Sequence, residues 1–337
     1  MFWEVTRACA LACKHCRAVA QPRPHPDELS TAEALKLVDQ LAELKPPMLV
    51  LTGGDPMMRP DILEIIRAAS QKGLHVALSP AATARLVNAD FRALKDAGVQ
   101  SMSLSLDGAH ESTHDAFRGV PHTYERTLKA AELAKEAGLH LQINTTITKS
   151  TLSEFDDFVE LMKKMQPGMW SVFLLVPTGR AAMDEMPTAE EVERIWERLT
   201  EVSQDVSFGV KTTEGHHYRR VALQMAKAQG NKPARRAVPT RDGKGIMFIS
   251  HTGDIQPSGF LPITAGNVRH DNIGEVYRSS PLFTKLRDDD ALQGKCGICE
   301  FRKICGGSRA RAYAVYGDMM AEDNLCPWQP TRSKNHD

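Results

Sequence analysis

The sequence carries no net charge and no long hydrophobic run, and both features narrow the possible functions. Lys plus Arg and Asp plus Glu number 42 each in 337 residues, so no net field attracts a nucleic acid or an anionic membrane surface. The longest apolar runs, such as WSVFLLV, fall far short of the roughly 18 residues that a membrane-spanning helix needs. We therefore expect a cytoplasmic protein that binds neither nucleic acid nor membrane.

The cysteines also lack the features of a disulfide framework, which has an even number of cysteines in a small secreted domain. There are seven in this long chain, an odd number. They form one group near the start and one near the end, namely Cys9, Cys13 and Cys16, then Cys296, Cys299, Cys305 and Cys326. Such grouping indicates metal ligation.

From residue 30 to about residue 210, β-type runs alternate with helical patterns. The predicted strands are MLVLTGG, HVALS, SMSLSLDG, LQINTTI, WSVFLLVP and, more weakly, FGVKT. Repeated strand and helix units predict an α/β fold with a parallel sheet, either open and doubly wound or a closed or partial barrel. Ligands of such sheets gather at the carboxyl ends of the strands.

Helix start signals support this alternation. Ser30 with Glu33, and Thr188 with Glu191, have the spacing of a capping box. Three segments repeat apolar residues at i, i+3, i+4 and i+7, which predicts helices with one buried face. They begin at Ile62, Phe155 and Val192.

After residue 212 the alternation ends, in the polar stretch KAQGNKPARRAVPTRDGKG and the hairpin-like IMFISHTGDIQPSGF. The remainder is rich in Gly and Cys and too poor in apolar periodicity to be held together by a core alone. We divide the chain into a barrel-like core (1–212), a bridging segment (213–245) and a small C-terminal domain (246–337).

The first cysteine group has the pattern CxxxCxxC, with no fourth cysteine nearby. Three thiolates can hold three irons of a four-iron, four-sulfur cluster and leave the fourth iron open. Structural zinc has four protein ligands, so zinc is the weaker interpretation, and inert buried cysteines are a third.

CxxxCxxC after the first strand, followed by TGGDP at the end of a later strand, resembles the radical S-adenosylmethionine (radical SAM) superfamily. The resemblance implies a partial (β/α)6 barrel and an oxidoreductase or lyase. It implies that S-adenosylmethionine chelates the open iron through its amino and carboxylate groups. One electron, from a donor such as flavodoxin or ferredoxin, then releases a 5′-deoxyadenosyl radical that abstracts hydrogen from a substrate.

The resemblance also assigns contacts with S-adenosylmethionine. TGGDP stands where the family usually has GGEP, so Gly53, Gly54 and Asp55 are expected to hold its amino group, although Asp is one methylene shorter than Glu. The matching strands and the segment HDAFRG supply a serine and an aspartate for the cofactor, an arginine for its carboxylate and an asparagine for its ribose. These are Ser105, Asp107, Arg118 and Asn144.

Ordinary structural interpretations remain for two of these positions, and one loop departs from the family. Asp107 before a Gly is typical of a turn, and Arg118 is also explained as a solvated surface charge. In SPAATA, Ala81 and Ala82 replace the usual Asn and Gly. Any polar contact from this loop is then lost or passes to Ser79 or Thr83.

The second cysteine group is spaced CxxCxxxxxC, with twenty residues before the last cysteine. Taken alone, it also fits zinc. Beside a radical SAM core it resembles the auxiliary-cluster site of SPASM and twitch extensions. Ser258 and Ser308 stand where a full SPASM domain has cysteines for another cluster. We therefore expect one auxiliary four-iron, four-sulfur cluster, acting as an electron relay or a structural staple.

Segments along nearly the whole chain, among them QINTTITK, FLLVPTGR and CGGSRARAYAVYGDMMAEDNLC, resemble the radical SAM enzymes that make heme from siroheme. The resemblance implies side-chain decarboxylation or removal on a heme-related tetrapyrrole. A SPASM-type enzyme that modifies a ribosomally made peptide is the alternative, because such enzymes share the tail motif. A binding protein that keeps an iron-sulfur fold without catalysis is a second alternative.

The segment EGHHYRR offers further candidate ligands for the iron or the carboxylates of a tetrapyrrole. His216 and His217 stand beside Arg219 and Arg220, and His251 lies in the predicted hairpin. The ordinary alternative is a helix start with solvated basic residues, which we favour for each residue taken singly.

Overall fold

A computed structural model describes residues 1–230 and 239–331. Residues 231–238 of the predicted bridging segment therefore lie outside the described residues. The strands are β1 (Phe2–Glu4), β2 (Leu49–Thr52), β3 (Val76–Leu78), β4 (Val99–Ser105), β5 (His140–Ile147), β6 (Met169–Leu174), β7 (Gly209–Thr213), β8 (Phe248–Ile249), β9 (Asp254–Gln256) and β10 (Gly266–Asn267).

The helices alternate with these strands through most of the chain. They are α1 (Thr31–Leu44), α2 (Ile62–Gln71), α3 (Ala84–Val87), α4 (Phe91–Ala97), α5 (Glu111–Arg118), α6 (Thr123–Glu136), α7 (Phe155–Met165), α8 (Ala189–Asp205), α9 (Tyr218–Ala228), α10 (Ile273–Ser279), α11 (Pro281–Arg287), α12 (Gly294–Ile298) and α13 (Arg309–Tyr316). None of the described helices is long and apolar enough to cross a membrane.

The strands form one sheet in the order β10-β9-β8-β1-β2-β3-β4-β5-β6-β7. Neighbouring strands are parallel from β8 through β1 to β7, as helical crossovers require. Each of the first six strands, β1 to β6, is followed by at least one helix, and β7 is a seventh parallel strand. The predicted α/β partial barrel is confirmed, and the six predicted strands correspond to β2 through β7.

Local sequence signals form as predicted. Ser30 and Thr188 each accept a hydrogen bond from the backbone at the third helical position, and the glutamate there binds back to the cap. The three predicted apolar faces are buried on α2, α7 and α8. Trp3, Trp170 and Trp196 are fully buried between sheet and helices. The core therefore lies on the helical side of the sheet.

The opposite face of the sheet is polar near its centre. Along β5, residues 141, 143, 145 and 147 are buried, whereas residues 142, 144 and 146 are half-buried. Parallel pairing sets Ser103 beside Gln142 and Ser105 beside Asn144. Paired residues of neighbouring strands point to the same face, so these polar side chains line the interior of the partial barrel.

The C-terminal region continues the same sheet. β8 and β9 form the predicted hairpin, and β8 pairs in parallel with β1. The sheet therefore crosses the sequence boundary that we drew at residue 246. The region also has a small apolar core of its own. This core consists of Leu261, Leu286, Leu292, Ala310 and Met320, and Val176 packs into it as well.

Candidate active site and second thiol site

The first three cysteines lie in one loop at the carboxyl end of β1. Its base is closed by two backbone hydrogen bonds, from Cys9 N to Gln21 O at 2.8 Å and from Gln21 N to Arg7 O at 3.0 Å. Cys9 and Cys13 are buried, and Cys16 is half-buried beside them. We call this segment, residues 9 to 20, the thiol loop.

Each sulfur of the thiol loop accepts an N–H hydrogen bond. The pairs are Leu11 N to Cys9 Sγ at 3.4 Å, Ala20 N to Cys16 Sγ at 3.5 Å and Arg118 Nη1 to Cys13 Sγ at 3.6 Å. Such donors stabilise negative charge on metal-bound sulfur. Burial raises the pKa of the Cys9 thiol to about 12, and a bound metal ion would act in the opposite direction by favouring the thiolate. The donor set fits an iron-sulfur cluster with three protein ligands.

The glycines of TGGDP lie directly against the start of the thiol loop. A Cβ added at Gly53 would come 2.5 Å from Thr6 O, and one at Gly54 would come 2.5 Å from Ala8 O. Gly54 N donates to Thr6 O at 2.8 Å, and Asp55 N donates to Ala8 O at 2.7 Å. Glycine is required here because the two backbones touch.

Asp55 is fully buried and binds within the protein. Its carboxylate accepts hydrogen bonds from Met57 N at 3.1 Å, Ala81 N at 3.3 Å and Thr83 Oγ1 at 3.4 Å. Burial raises the pKa of this carboxyl group. Asp55 therefore ties TGGDP to the loop after β3, and Thr83 is the polar residue of SPAATA that reaches it.

Arg118, at the end of α5, connects the thiol loop to the end of β4. Its guanidinium donates to Cys13 Sγ and also to Asp107 Oδ2. Asp107 is 1% exposed, and its other oxygen accepts from Thr146 N at 2.7 Å. Burial raises the pKa of Asp107, but Arg118 and His15 outweigh burial and hold it below its ordinary value. Arg118 is thus half-buried and paired with a buried carboxylate, and the interpretation as a solvated surface charge is wrong.

Ser105 and Asn144 lie side by side on the interior face, one at the end of β4 and one within β5. The amide of Asn144 accepts from Gln142 Nε2 at 2.6 Å. Two groups of predicted cofactor residues therefore lie at the carboxyl ends of the strands, namely Gly53, Gly54 and Asp55, and Asp107 with Arg118. Ser105 and Asn144 lie on the interior face of the sheet. Their contacts with S-adenosylmethionine remain predictions.

The second four cysteines line one cavity between α9 and the C-terminal region. Each of their sulfurs also accepts an N–H hydrogen bond. The pairs are Asp323 N to Cys296 at 3.5 Å, Phe301 N to Cys299 at 3.4 Å, Gly307 N to Cys305 at 3.5 Å and Arg220 Nη2 to Cys326 at 3.8 Å. Burial raises the pKa of all four thiols, that of Cys326 to about 11. The donor set fits a closed four-thiolate metal site.

Backbone conformation supports this second site. Gly307 has φ +62°, in the left-handed region, and a Cβ there would lie 2.8 Å from Asp323 Cβ and 3.2 Å from Cys296 Sγ. Ser308 donates its hydroxyl to Glu214, whereas Ser258 Oγ accepts from Phe260 N at 3.2 Å. The two serines that replace expected cysteines are therefore used in local hydrogen bonds.

His216, His217 and Arg220 of EGHHYRR are buried, whereas Arg219 is half-buried. Arg220, at 2% exposure, pairs with Glu193, donates to Cys326 Sγ and lies 5.4 Å over the Trp328 ring. His217 lines the second thiol cavity. Sequence reasoning missed that Arg220 and Arg309, which lies 3.9 Å from Cys296 Sγ, serve the second site. Nothing in their local spacing indicates it.

An open cavity of about 530 Å³ adjoins the thiol loop. Lys14 and His15 of the loop line it, together with Phe117 and Arg180. Arg180 N also donates to Cys16 O at 3.0 Å, which fixes Arg180 beside the loop. His251, in contrast, is buried against Glu4, with 2.7 Å from Nδ1 to Oε1. His251 is therefore already paired within the protein.

A partial barrel with a buried three-thiol loop at its carboxyl-terminal edge defines the class of radical SAM enzymes. The family model of the Radical SAM superfamily matches residues 3–162. The AdoMet-dependent heme synthase of Nitratidesulfovibrio vulgaris is 43% identical over 98% of this chain and 92% of the relative. That of Methanosarcina barkeri is 39% identical over 97% and 96%.

Among solved structures, Streptococcus suis SuiB bound to precursor peptide SuiA superposes with a TM-score of 0.71, covering 97% of this chain and 75% of SuiB. At 18% identity this likeness shows the fold alone. The chain is a radical SAM enzyme, and it belongs to the family of the AdoMet-dependent heme synthases within the radical SAM superfamily.

Proposed function

We propose that this enzyme makes heme by decarboxylating propionate side chains of an iron coproporphyrin. The observation that carries the proposal is the cavity of about 530 Å³ that opens directly beside the thiol loop. A tetrapyrrole is wide and flat, and its reacting side chain must reach the cofactor while the ring stays outside the cluster site. The relative from Nitratidesulfovibrio vulgaris is a heme synthase, and heme is a tetrapyrrole.

The cluster and S-adenosylmethionine supply a 5′-deoxyadenosyl radical when bound. The chain's own residues do the rest. Cys9, Cys13 and Cys16 hold the cluster, and the backbone at Gly53 and Gly54 holds the amino group of S-adenosylmethionine. Arg118 is bound to Asp107 and places its positive charge beside Cys13. This charge would stabilise a carboxylate of the substrate or of S-adenosylmethionine.

Substrate carboxylates are held by the cavity wall nearest the thiol loop. Lys14 belongs to the loop, and Arg180 is pinned to it through the Cys16 carbonyl. Asp184 and Glu185 line the same cavity and repel a carboxylate. The propionates therefore bind on the Lys14 and Arg180 side, which brings them toward the cluster.

Each propionate that becomes a vinyl group loses one hydrogen atom, one carbon dioxide and one electron. The hydrogen atom goes to the adenosyl carbon, so the electron needs a separate acceptor. We infer that Cys296, Cys299, Cys305 and Cys326 hold one auxiliary four-iron, four-sulfur cluster, in a SPASM or twitch-like domain over 246–337. A cluster held there would supply an acceptor for this electron, and a donor such as flavodoxin or ferredoxin would supply the electron for a cluster held by Cys9, Cys13 and Cys16.

The test is anaerobic turnover of cluster-loaded protein with iron coproporphyrin III, S-adenosylmethionine and dithionite. We expect heme and two molecules of 5′-deoxyadenosine per heme. Lys14→Ala and Arg180→Ala should raise KM for the tetrapyrrole while S-adenosylmethionine cleavage without substrate persists. Failure to convert the tetrapyrrole, with turnover of a ribosomal peptide instead, would overturn the proposal.

A further inference from the structure

A second group of potential metal ligands lies outside both thiol sites. Glu214 follows β7 and His216 is two residues further on, whereas Asp242 belongs to the bridging segment. One ligand atom from each of these side chains lies within 4.8 Å of the others. All three residues are buried, at 4%, 4% and 0% exposure.

Several polar atoms of this group lack hydrogen-bond partners among the described residues. Both ring nitrogens of His216 and Oδ1 of Asp242 are buried without a partner. Two of the remaining oxygens are used, because Asp242 Oδ2 accepts from Ala310 N at 3.0 Å and Glu214 Oε2 accepts from the Ser308 hydroxyl. A buried unsatisfied polar group costs about 1–3 kcal/mol, so an imidazole and a carboxylate that both carry unpartnered atoms in one buried group call for a ligand.

The neighbouring cations do not neutralise the two carboxylates. Arg311 is fully buried, and its side chain pairs with Asp323 through contacts of 2.9 and 2.7 Å. Arg241 pairs with Asp289. Within the described part of the chain, no arginine or lysine forms an ion pair with Glu214 or Asp242. Two adjacent buried carboxylates therefore require a proton or a bound cation.

We propose that Glu214, His216 and Asp242 bind one divalent transition-metal ion of the class of Zn²⁺, Mn²⁺ or Fe²⁺. One imidazole nitrogen and two carboxylate oxygens suit these ions, whereas an iron-sulfur cluster would need thiolates. Ligand bonds of about 2.1 Å at tetrahedral angles place ligand atoms roughly 3.4 Å apart, so the three side chains, whose ligand atoms lie within 4.8 Å of one another, close slightly on the ion.

The position of the site gives the ion a structural role. Glu214 and His216 belong to the end of the barrel, and Asp242 binds the first turn of α13 through Ala310. The Ser308 amide donates to Asp323, whose own amide donates to Cys296 Sγ. The ion therefore clamps the barrel to the segment that holds the second thiol site.

Metal content of wild-type protein tests the proposal. Protein is produced in medium supplemented with Zn²⁺ and Mn²⁺, purified anaerobically and analysed for zinc, manganese, iron and acid-labile sulfide. We expect one equivalent of zinc, manganese or iron beyond the iron that matches sulfide. Near-isosteric Glu214→Gln and Asp242→Asn, and His216→Ala, should each lose it.

His75→Ala is the matched control, because His75 is a half-buried histidine remote from this group that contacts Ser101. It should keep the extra equivalent. Hydrogen exchange of α13 should speed up in the three site variants alone. A wild-type protein without the extra ion, or variants that retain it, would overturn the proposal. The carboxyl pair would then share a proton beside a neutral histidine. The result is independent of heme formation.

Discussion

Replacing Gly54 by alanine should disable S-adenosylmethionine cleavage while the rest of the protein stays folded. The added Cβ would lie 2.5 Å from Ala8 O and 2.6 Å from Arg7 O, and ordinary contact begins at 3.4 Å. The backbone at the base of the thiol loop must then retreat by 0.9 Å, which is 3.4 minus 2.5. Both obstacles are main-chain atoms, so no side-chain rotation relieves them.

The size of this shift sets the expected loss. A misplacement of about 1 Å in a catalytic arrangement costs roughly 10²-fold in rate, whereas overpacking costs about 1–3 kcal/mol in stability. We therefore expect about a hundredfold less 5′-deoxyadenosine under dithionite. Iron and sulfide at the second thiol site should persist, because that site lies at the other end of the chain.

Gly138→Ala is the matched control for Gly54→Ala. Gly138 has φ +71° with nothing within 4 Å of an added Cβ, so alanine there meets left-handed strain of about 1–2 kcal/mol without a steric clash. Its S-adenosylmethionine cleavage should stay near wild type. Wild-type cleavage by Gly54→Ala would refute the idea that this backbone contact positions the thiol loop.

Three further predictions concern the thiol sites. Intact protein should hold about eight irons, and about four irons would show that the auxiliary cluster is absent. Cys9→Ala should abolish 5′-deoxyadenosine formation, whereas Cys296→Ala should leave the spectrum of the first cluster unchanged. Arg118→Met leaves Asp107 buried and unpaired, so it should lower the free energy of unfolding by about 3–5 kcal/mol, measured with denaturant, while Arg198→Ala in an exposed pair changes it by about 0–1 kcal/mol. Arg220→Met should shift the auxiliary cluster's potential downward, since a cation beside Cys326 is lost, and potentiometric EPR would show no shift if the contact is unimportant.

The sequence predicts features that depend on neighbouring residues. The capping boxes at Ser30 and Thr188 and the apolar faces of α2, α7 and α8 form as expected, because each is a repeat within a few residues. The two groups of thiols converge as their spacing indicates. Local periodicity and ligand spacing carry this information without knowledge of the tertiary fold.

The sequence does not predict how α9 is buried. EGHHYRR appeared either as a set of tetrapyrrole ligands or as a solvated helix start, and both hypotheses assume exposure. In the structure Arg220 reaches Glu193 on one side and Cys326 on the other. The partners of these two contacts are 27 and 106 residues apart in the sequence. Such contacts leave no periodic signal, because they arise only when the barrel and the C-terminal region pack together.

This packing has a mechanistic consequence. The electron transfer that we propose requires that the second thiol site stay at a fixed distance from the cavity, and a loosely tethered domain would not hold it there. Arg311 donates both to the Glu214 carbonyl and to Asp323, and Asp323 in turn binds Cys296 Sγ through its amide. A buried ion pair that loses one partner costs about 3–5 kcal/mol, so separation of these elements is disfavoured. The barrel therefore positions the second thiol site through the same chain of contacts that holds its cysteines.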